Sequence, residues 1–378
     1  MTPEVAGGAR DPKSEGYRVA IVGASSLLGK EVAALLKERQ FAVASLMEIE
    51  AGLGAELEPE LPIVDLDKGD PGESALTPPV EVPGDELDIA FLAVRLDPLP
   101  LFLRPESTRP ALIIDLDANL AELREAIPRV AWLEGETLPA TVGPGETAAF
   151  LSAHPATMVL SSVLLRLASR VEIRAAVAHI FTPASDLGAR GIDELQRQTV
   201  NLLSFQKTPR AVFGSQLAFN LLPRLTGSGS EALGHIEDRL RREVERYLQG
   251  RVPLPALKVF QAPVFYSLAA SLYVETAEIL TPREAGEAVS GEGVRLCRAS
   301  EAVPSPVEAT GGGDVLIDSI VADSNRAQGL WIWAAADNLR LAARNAVEIA
   351  ARYTGQARTA ESGRAAQGRR PARQGRLR

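Results

Sequence analysis

The stretch VAIVGASSLLGKE, residues 19–31, decides the fold prediction. An apolar run typical of a buried strand ends in a glycine-bounded turn. A helix follows, with Val32, Leu35 and Leu36 on one face. Strand, glycine turn and helix in this order are typical of dinucleotide-binding proteins, where free N–H groups and the helix dipole meet a pyrophosphate. The stretch therefore predicts the start of a nucleotide-binding α/β domain.

The turn itself departs from the usual glycine pattern. It runs from Gly23 to Gly29, and Ser26 stands where the middle glycine is expected. A serine can donate its hydroxyl to a phosphate, but its Cβ disfavours positive φ. Two interpretations stay open: a nucleotide-binding turn, or glycines that only permit tight strand–helix packing. In the first, the candidate cofactor-binding residues are Gly23, Ser25, Ser26, Leu27, Leu28 and Gly29.

Two acidic residues close the second predicted strand. Glu48 and Glu50 stand at the end of the apolar segment 41–50. An acid at this position suits ribose hydroxyls and repels a 2′-phosphate, which favours NAD over NADP. Two solvated loop acids are the alternative interpretation.

The pattern of elements changes near residue 150. Before it, apolar strands at 41–50, 87–94 and 111–117 alternate with helices and predict a Rossmann-type, doubly wound parallel sheet. After it, the predicted elements fit a mainly antiparallel sheet with helices on one face. They are helices at 156–170, 193–205, 231–250 and 336–353, and strands at 171–183 and 256–279 with Pro263 as a break. The predicted fold class is α/β followed by an α+β domain.

Composition narrows the function classes. The net charge is −9, but the segment after Gly355 holds seven arginines against one glutamate, so the rest carries about −15. An acidic body disfavours nucleic-acid binding except through that basic tail. One cysteine and three dispersed histidines predict no metal site. No segment has the length of a membrane span, and the N-terminus lacks a signal-peptide core, so we expect a cytoplasmic protein.

Several segments resemble aspartate-semialdehyde dehydrogenases, in the right order over residues 17–353. They are VAIVGASSLLGKEVAALLKERQFAVASL (19–46), TPASDLGARGIDELQRQT (182–199), LAFNLLP (217–223), APVFYSLAASLYVET (262–276) and LWIWAAADNLRLAARNAVEIA (330–350). The resemblance implies a dinucleotide-binding domain at 17–150, a substrate and dimerisation domain at 151–330, and a C-terminal helix at 331–355 that packs on the first domain. Disordered termini are expected at 1–16 and 356–378.

The resemblance also implies a reaction. In that family a cysteine thiolate attacks the aldehyde, hydride passes to NAD(P), and phosphate cleaves the thioester, with a histidine as acid and base. The family's cysteine position matches Thr157 here, its histidine matches Leu268, and its substrate-binding arginine matches Gln261. Threonine needs a positioned base, leucine transfers no proton, and glutamine offers no charged fork. Asn338 and Arg340 persist, and Asn338 joins the candidate cofactor-binding residues.

Other residues are candidates to replace the lost cysteine and histidine. His154 lies in the former nucleophile loop and is either a lone base beside Ser152 or Thr157, or a partly exposed loop residue. Cys297 is expected to be a small core residue on a strand. Arg239, Glu237 and Glu243 indicate a charged spot on the 231–250 helix.

These observations favour a catalytically inactive homologue acting as a dimeric nucleotide-binding or regulatory protein, with NAD or NADP as the possible cofactor. A homodimer is expected, and a heterodimer with an active homologue is the variant of that idea. The main alternative is an active NAD(P)-dependent semialdehyde dehydrogenase of amino-acid biosynthesis with a rewired site. A third hypothesis is nucleic-acid association through the basic tail.

Overall fold

The computed structural model describes residues 15–50, 87–96, 110–120, 127–134, 147–298, 300–318 and 320–356. The expected disordered N-terminus lies outside these ranges up to residue 14. The basic tail lies outside them from residue 357 onward.

A six-stranded, all-parallel sheet forms the first half of the chain, in the order β2-β1-β3-β4-β6-β5. Its strands are β1 (Tyr17–Val22), β2 (Val43–Ile49), β3 (Ile89–Leu92), β4 (Leu112–Asp115), β5 (Pro128–Arg129) and β6 (Ala148–Ser152). Helix α1 (Leu27–Glu38) follows β1, and a 3₁₀ turn spans Ala131–Leu133. Strands β3 and β4 are buried throughout because both faces of a parallel sheet are covered, which explains their continuous apolar sequences.

A seven-stranded mixed sheet forms the second half, in the order β10-β11-β13-β9-β7-β8, with β12 beside β13. Its strands are β7 (Ile173–Thr182), β8 (Ala256–Gln261), β9 (Leu268–Thr276), β10 (Val294–Leu296), β11 (Val315–Ile317), β12 (Val321–Ala322) and β13 (Gly329–Ala336). Among the described strand pairs of this sheet, only β7–β8 and β10–β11 are parallel.

Helices pack against one face of this mixed sheet. The helices of this half are α2 (Pro155–Ala168), α3 (Gly188–Leu203), α4 (Ser230–Leu248), α5 (Pro282–Val289) and the short α6 (Pro306–Ala309). Helix α2 is apolar nearly all round because it lies under α4, α5 and the sheet at once. Its Met158, Leu160 and Leu164 are fully buried in the main core.

Helix α7 (Asn338–Thr354) follows β13 but packs on the first sheet and on α1. Ala346, Val347 and Ala350 lie in the core of the first sheet. Asn345 fixes the helix there, because its Oδ1 accepts from Ala131 N at 2.8 Å and its Nδ2 donates to Ser152 Oγ at 2.9 Å. The helix therefore links the two sheets.

The architecture confirms the predicted fold class. Three details differ: the helix predicted from residue 193 begins at Gly188, and neither β13 nor α5 stood out in the sequence. The predicted break at Pro263 separates β8 from β9. No helix among the described residues is long and apolar enough to cross a lipid bilayer.

Candidate functional site

The carboxyl ends of the first sheet meet the second half of the chain at a junction, here called the cleft, where Arg239 of α4 contacts Leu116 and Asp117. The carboxyl ends of parallel strands carry ligands in doubly wound folds, and here they carry the Gly23 turn, Glu50, Asp117 and His154. From the mixed sheet, the chain leaves β7 at Thr182 and β8 at Gln261, and enters β9 at Leu268. Backbone bonds join these segments: Ala184 N donates to Val264 O at 2.8 Å, and Ser185 N to Phe265 O at 3.0 Å.

The glycines of the turn are required by packing. Gly23 has φ +82°, and a Cβ there would lie 2.5 Å from Val94 Cγ1. A Cβ on Gly29 would lie 2.2 Å from Gly23 O, so only glycine lets α1 approach the strand end. Packing therefore requires glycine at both positions, whether or not the turn binds a nucleotide.

The serines of the turn have specific roles. Ser26 is the N-cap of α1 with φ −63°, and its Oγ accepts from Gly29 N at 2.9 Å, so its backbone is unstrained. Ser25 Oγ donates to Glu50 Oε2. Glu48 is exposed on β2. Thus Glu50, rather than Glu48, contacts the turn. Leu27 and Leu28 open the helix, where backbone N–H groups have no intrahelical acceptor.

The residues matched to the family's reactive groups are all buried. Thr157, in the first turn of α2, and Leu268 and Gln261 at their strand ends each have 0% exposure. Thr157 Oγ1 has no hydrogen-bond partner among the described residues. Gln261 Nε2 donates to Thr182 O at 3.0 Å. Leu268 belongs to the main apolar core.

His154 differs from the expectation of a partly exposed loop residue, which was wrong. It is 8% exposed and caps α2, because Pro155 starts the helix and His154 Nδ1 accepts from Ala156 N at 3.2 Å. Its backbone N–H donates to Glu243 Oε2 at 2.6 Å. Burial, and then the charge of Arg239, lower the pKa of His154 well below its ordinary value, so the ring is neutral. Among the described residues no hydrogen bond joins His154 to Thr157 or to Ser152.

A largely buried ionic cluster centres on Arg239 of α4. Its Nε donates to Glu243 Oε1 at 2.6 Å, its Nη1 to Asp117 Oδ1 at 3.3 Å, and its Nη2 to Leu116 O at 3.0 Å. Nearby, burial raises the pKa of Asp115 to about 6. Sequence reasoning singled out Arg239 and Glu243 but missed the aspartates, because their proximity depends on the meeting of β4 with α4.

Asp186 is the site residue that sequence reasoning missed. Asn338 Nδ2 donates to Asp186 Oδ1 at 2.6 Å and to Ser185 Oγ at 3.0 Å, while Ser267 N donates to Asn338 Oδ1 at 3.1 Å. Burial raises the pKa of Asp186 from 3.8 to about 7. The amide of Asn338, a predicted cofactor contact, is therefore saturated by the protein itself.

The remaining candidates have structural surroundings. Arg340 pairs with Glu31 at 2.7 Å and with Glu38, and so joins α7 to α1. Glu237 pairs with Lys258 at 3.0 Å and with Arg241. Cys297 follows β10 and is half-buried beside the Ala309–Leu316–Ala335 cluster, rather than a fully buried strand residue. The described residues contain no group of acids, histidines and cysteines suited to a metal ion.

Comparison with known proteins identifies relatives over most of the chain. The family model for the semialdehyde dehydrogenase dimerisation domain matches residues 164–341. An aspartate-semialdehyde dehydrogenase of Rickettsia bellii is 24% identical over 344 residues, covering 88% of this chain and 96% of that protein. A USG-1 protein homolog of Pseudomonas aeruginosa is 27% identical over 272 residues, covering 70% and 75%.

Solved structures show the same fold. A probable aspartate-semialdehyde dehydrogenase from Pseudomonas aeruginosa superposes with a TM-score of 0.71 at 25% identity, covering 88% of this chain and 97% of that one. An aspartate-semialdehyde dehydrogenase with NADP from Candida albicans superposes with a TM-score of 0.58 at 14% identity, covering 90% and 99%. Residues 164–341 of this chain thus match the dimerisation domain of the semialdehyde dehydrogenase family, and the chain is similar to aspartate-semialdehyde dehydrogenases over most of its length.

Proposed function

We propose that this homologue does not oxidise an aldehyde and acts as a dimeric nucleotide-binding or regulatory protein. One observation carries the proposal: at the positions matched to nucleophile and base, Thr157 and Leu268 are both fully buried. The Thr157 hydroxyl has no acceptor for its proton among the described residues.

The chemistry needs more than these residues supply. A threonine hydroxyl attacks a carbonyl only when a positioned base removes its proton, and leucine accepts none. His154 is committed to capping α2 through the nitrogen that would accept a proton. Gln261 replaces the charged fork expected for a substrate carboxylate. Members of a catalytic unit fail together, so we expect the loss of several to remove the activity rather than weaken it.

The glycine turn fits the adenosine half of a dinucleotide. The N–H groups at Leu27 and Leu28 suit a pyrophosphate, and Glu50, held by Ser25, suits ribose hydroxyls. A bound dinucleotide supplies a hydride acceptor. The Asn338 amide, which would face its nicotinamide half, is already bonded to Asp186. A carboxylate at Glu50 favours NAD, although the Candida albicans neighbour was solved with NADP. The affinity for each cofactor must therefore be measured.

The dimer surface in this proposal is the open face of the mixed sheet. It carries an aromatic row in which Phe181 stacks on Phe260 at 5.7 Å and Tyr273 contacts Trp331 at 5.1 Å, between ring centroids. Trp331 is 42% exposed, as expected for a face awaiting a second layer. The same face would accept a catalytically complete relative, the heterodimer variant of the hypothesis.

Three measurements test the proposal. Sedimentation velocity should give a dimer, and Trp331→Arg should give monomers that keep their circular dichroism. Calorimetry should show that NAD binds more tightly than NADP. Glu50→Gln should reduce this difference in affinity. Phosphate-dependent turnover of aspartate semialdehyde should be absent.

One observation favours the second candidate, an active enzyme with a rewired site. Asp186 lies in the cleft with a pKa of about 7, which suits proton transfer near neutral pH. That candidate requires turnover that Asp186→Asn abolishes.

A further inference from the structure

His179 lies in the middle of the open face of the mixed sheet. Ala178 and Ile180, its neighbours on β7, are buried in the main core. Because successive side chains of a strand point to opposite faces, Val177, His179 and Phe181 lie on the open face. A titratable ring therefore stands within the apolar surface that the proposed dimer uses.

The neighbouring strands surround His179 with uncharged and cationic groups. Lys258 of β8 and Ser271 of β9 are its direct partners in register, and β13 places Trp333 beyond Ser271. The rings of His179 and Phe260 lie 5.9 Å apart, between centroids. No residue that the structure describes forms an ion pair or a hydrogen bond with the His179 ring. A proton on this ring is therefore without a carboxylate partner in its own protomer.

The charged groups around this part of the face are paired with one another. Lys258 Nζ donates to Glu237 Oε2 of α4 at 3.0 Å. Glu275, near the end of β9, forms an ion pair with Arg326 at 3.8 Å. Protonation of His179 therefore adds a positive charge beside a lysine, while the carboxylates of this region are engaged elsewhere.

We propose that His179 makes dimerisation through the open face depend on pH, so that the protomers separate as their histidines gain protons below neutral pH. The partner is a second copy of this chain, because the dimerisation-domain match at residues 164–341 contains β7, β8, β9 and β13, the strands of that face. The inference rests on the proposed function, since it adds a regulation to the dimer proposed there.

The direction of the effect follows from the cost of burying a charge. Histidine is the side chain whose charge changes between pH 5 and pH 8. A neutral ring fits an aromatic surface, whereas a protonated ring that loses water and gains no counter-charge is costly to bury. In a two-fold dimer the same patch of both protomers meets, so the interface receives two histidines and two Lys258 ammonium groups. Because the separated protomers then bind protons better than the dimer does, acid favours dissociation.

Sedimentation velocity of the full chain at pH 8 and pH 5.5 tests this proposal. At about one unit below the usual pKa of a histidine side chain, proton uptake weakens association about tenfold per protomer, so the dimer dissociation constant should rise about 100-fold. His179→Phe keeps an aromatic ring that takes up no proton, and it should reduce this rise to less than about threefold. His179→Gln, which is also uncharged, should do the same, so either variant decides the matter if the other misfolds.

The other groups that titrate in this range serve as controls. Burial lowers the pKa of His154 well below its ordinary value, so that ring stays neutral. His235 is exposed on α4, and His235→Phe should keep the full rise in the dissociation constant. Burial raises the pKa of Asp115 to about 6 and that of Asp186 to about 7, but neither lies on the open face. Both aspartates remain in His179→Phe, so a loss of the pH dependence in that variant assigns it to His179.

Three results would overturn the proposal. They are a wild-type dissociation constant that changes less than about threefold between the two pH values, a rise that persists in both His179 variants, and dissociation that circular dichroism shows to accompany unfolding. A chain that is monomeric at pH 8 as well contradicts the proposed dimer, whereas a dimer of equal strength at both pH values contradicts only the role of His179.

Discussion

Asn338 Nδ2 lies 2.6 Å from Asp186 Oδ1, and this bond ties the start of α7 to the turn after β7. Since α7 packs on the first sheet and β7 belongs to the second, the contact spans the cleft between them. It also occupies the amide that a cofactor would otherwise meet. This contact and the buried groups around it determine how the protein should respond to pH and to substitution.

Replacing Asp186 by asparagine should stabilise the protein increasingly as pH rises. The folded pKa of Asp186, about 7, lies above its ordinary 3.8, so the folded state holds the proton more tightly. The contribution of the protonated Asp186 to the free energy of unfolding is full below pH ~4 and is lost as pH rises through ~7. The gain of Asp186→Asn in unfolding free energy should grow by about 2.5 kcal/mol between pH 5 and pH 8. Urea denaturation measures it, and a gain that does not change with pH would show that the proton on Asp186 is not its cause.

Two neighbouring serines of α2 should respond differently to alanine. Both are fully buried, but Ser161 Oγ has no partner among the described residues, whereas Ser162 Oγ accepts from Trp132 Nε1 at 3.0 Å. Ser162→Ala orphans the indole N–H and should cost about 1–3 kcal/mol. Ser161→Ala removes an unpaired hydroxyl and should change stability by less than about 0.5 kcal/mol. Equal losses in urea denaturation would show that Ser161 has a partner.

Two arginines of α4 should also differ in how much stability is lost when each is replaced. Arg239 is largely buried with Glu243 and Asp117, so Arg239→Met leaves uncompensated charge and should cost about 3–5 kcal/mol at pH 8. Arg241 pairs with Glu237 on the surface, and Arg241→Met should cost under about 1 kcal/mol. Thermal and urea unfolding measure both. A mild effect at Arg239 would mean that the cluster is solvated.

Two substitutions at Ser26 distinguish its role as the N-cap of α1 from its effect on how closely a nucleotide can approach the turn. Ser26→Gly keeps an acceptable N-cap at a loss of a few tenths of a kcal/mol and removes the Cβ from the turn. We expect it to raise NAD affinity severalfold. The matched variant Ser26→Ala keeps the Cβ and loses the cap, so it should cost about 1 kcal/mol without tighter binding. If calorimetry shows no gain in NAD affinity for Ser26→Gly, the account of nucleotide binding at this turn is contradicted.

Periodicity predicted the fold because each element of the first sheet carries its signal locally. The buried strands at Ile89–Leu92 and Leu112–Asp115 are continuous apolar runs, and the turn at Gly23 precedes a one-sided helix. Short elements such as α5 gave weaker signals. The cleft was less predictable, because the Asp186–Asn338 contact joins residues 152 positions apart. The burial of His154 likewise depends on α4, which no local pattern places over it.

Phosphate-dependent oxidation of aspartate semialdehyde by the purified chain, followed as reduced nicotinamide with NAD and NADP in turn, is the most direct measurement. Burial of Thr157 and Leu268 predicts no turnover above background with either cofactor. Turnover that scales with protein and disappears in Thr157→Ala would contradict this and would establish a rewired active site.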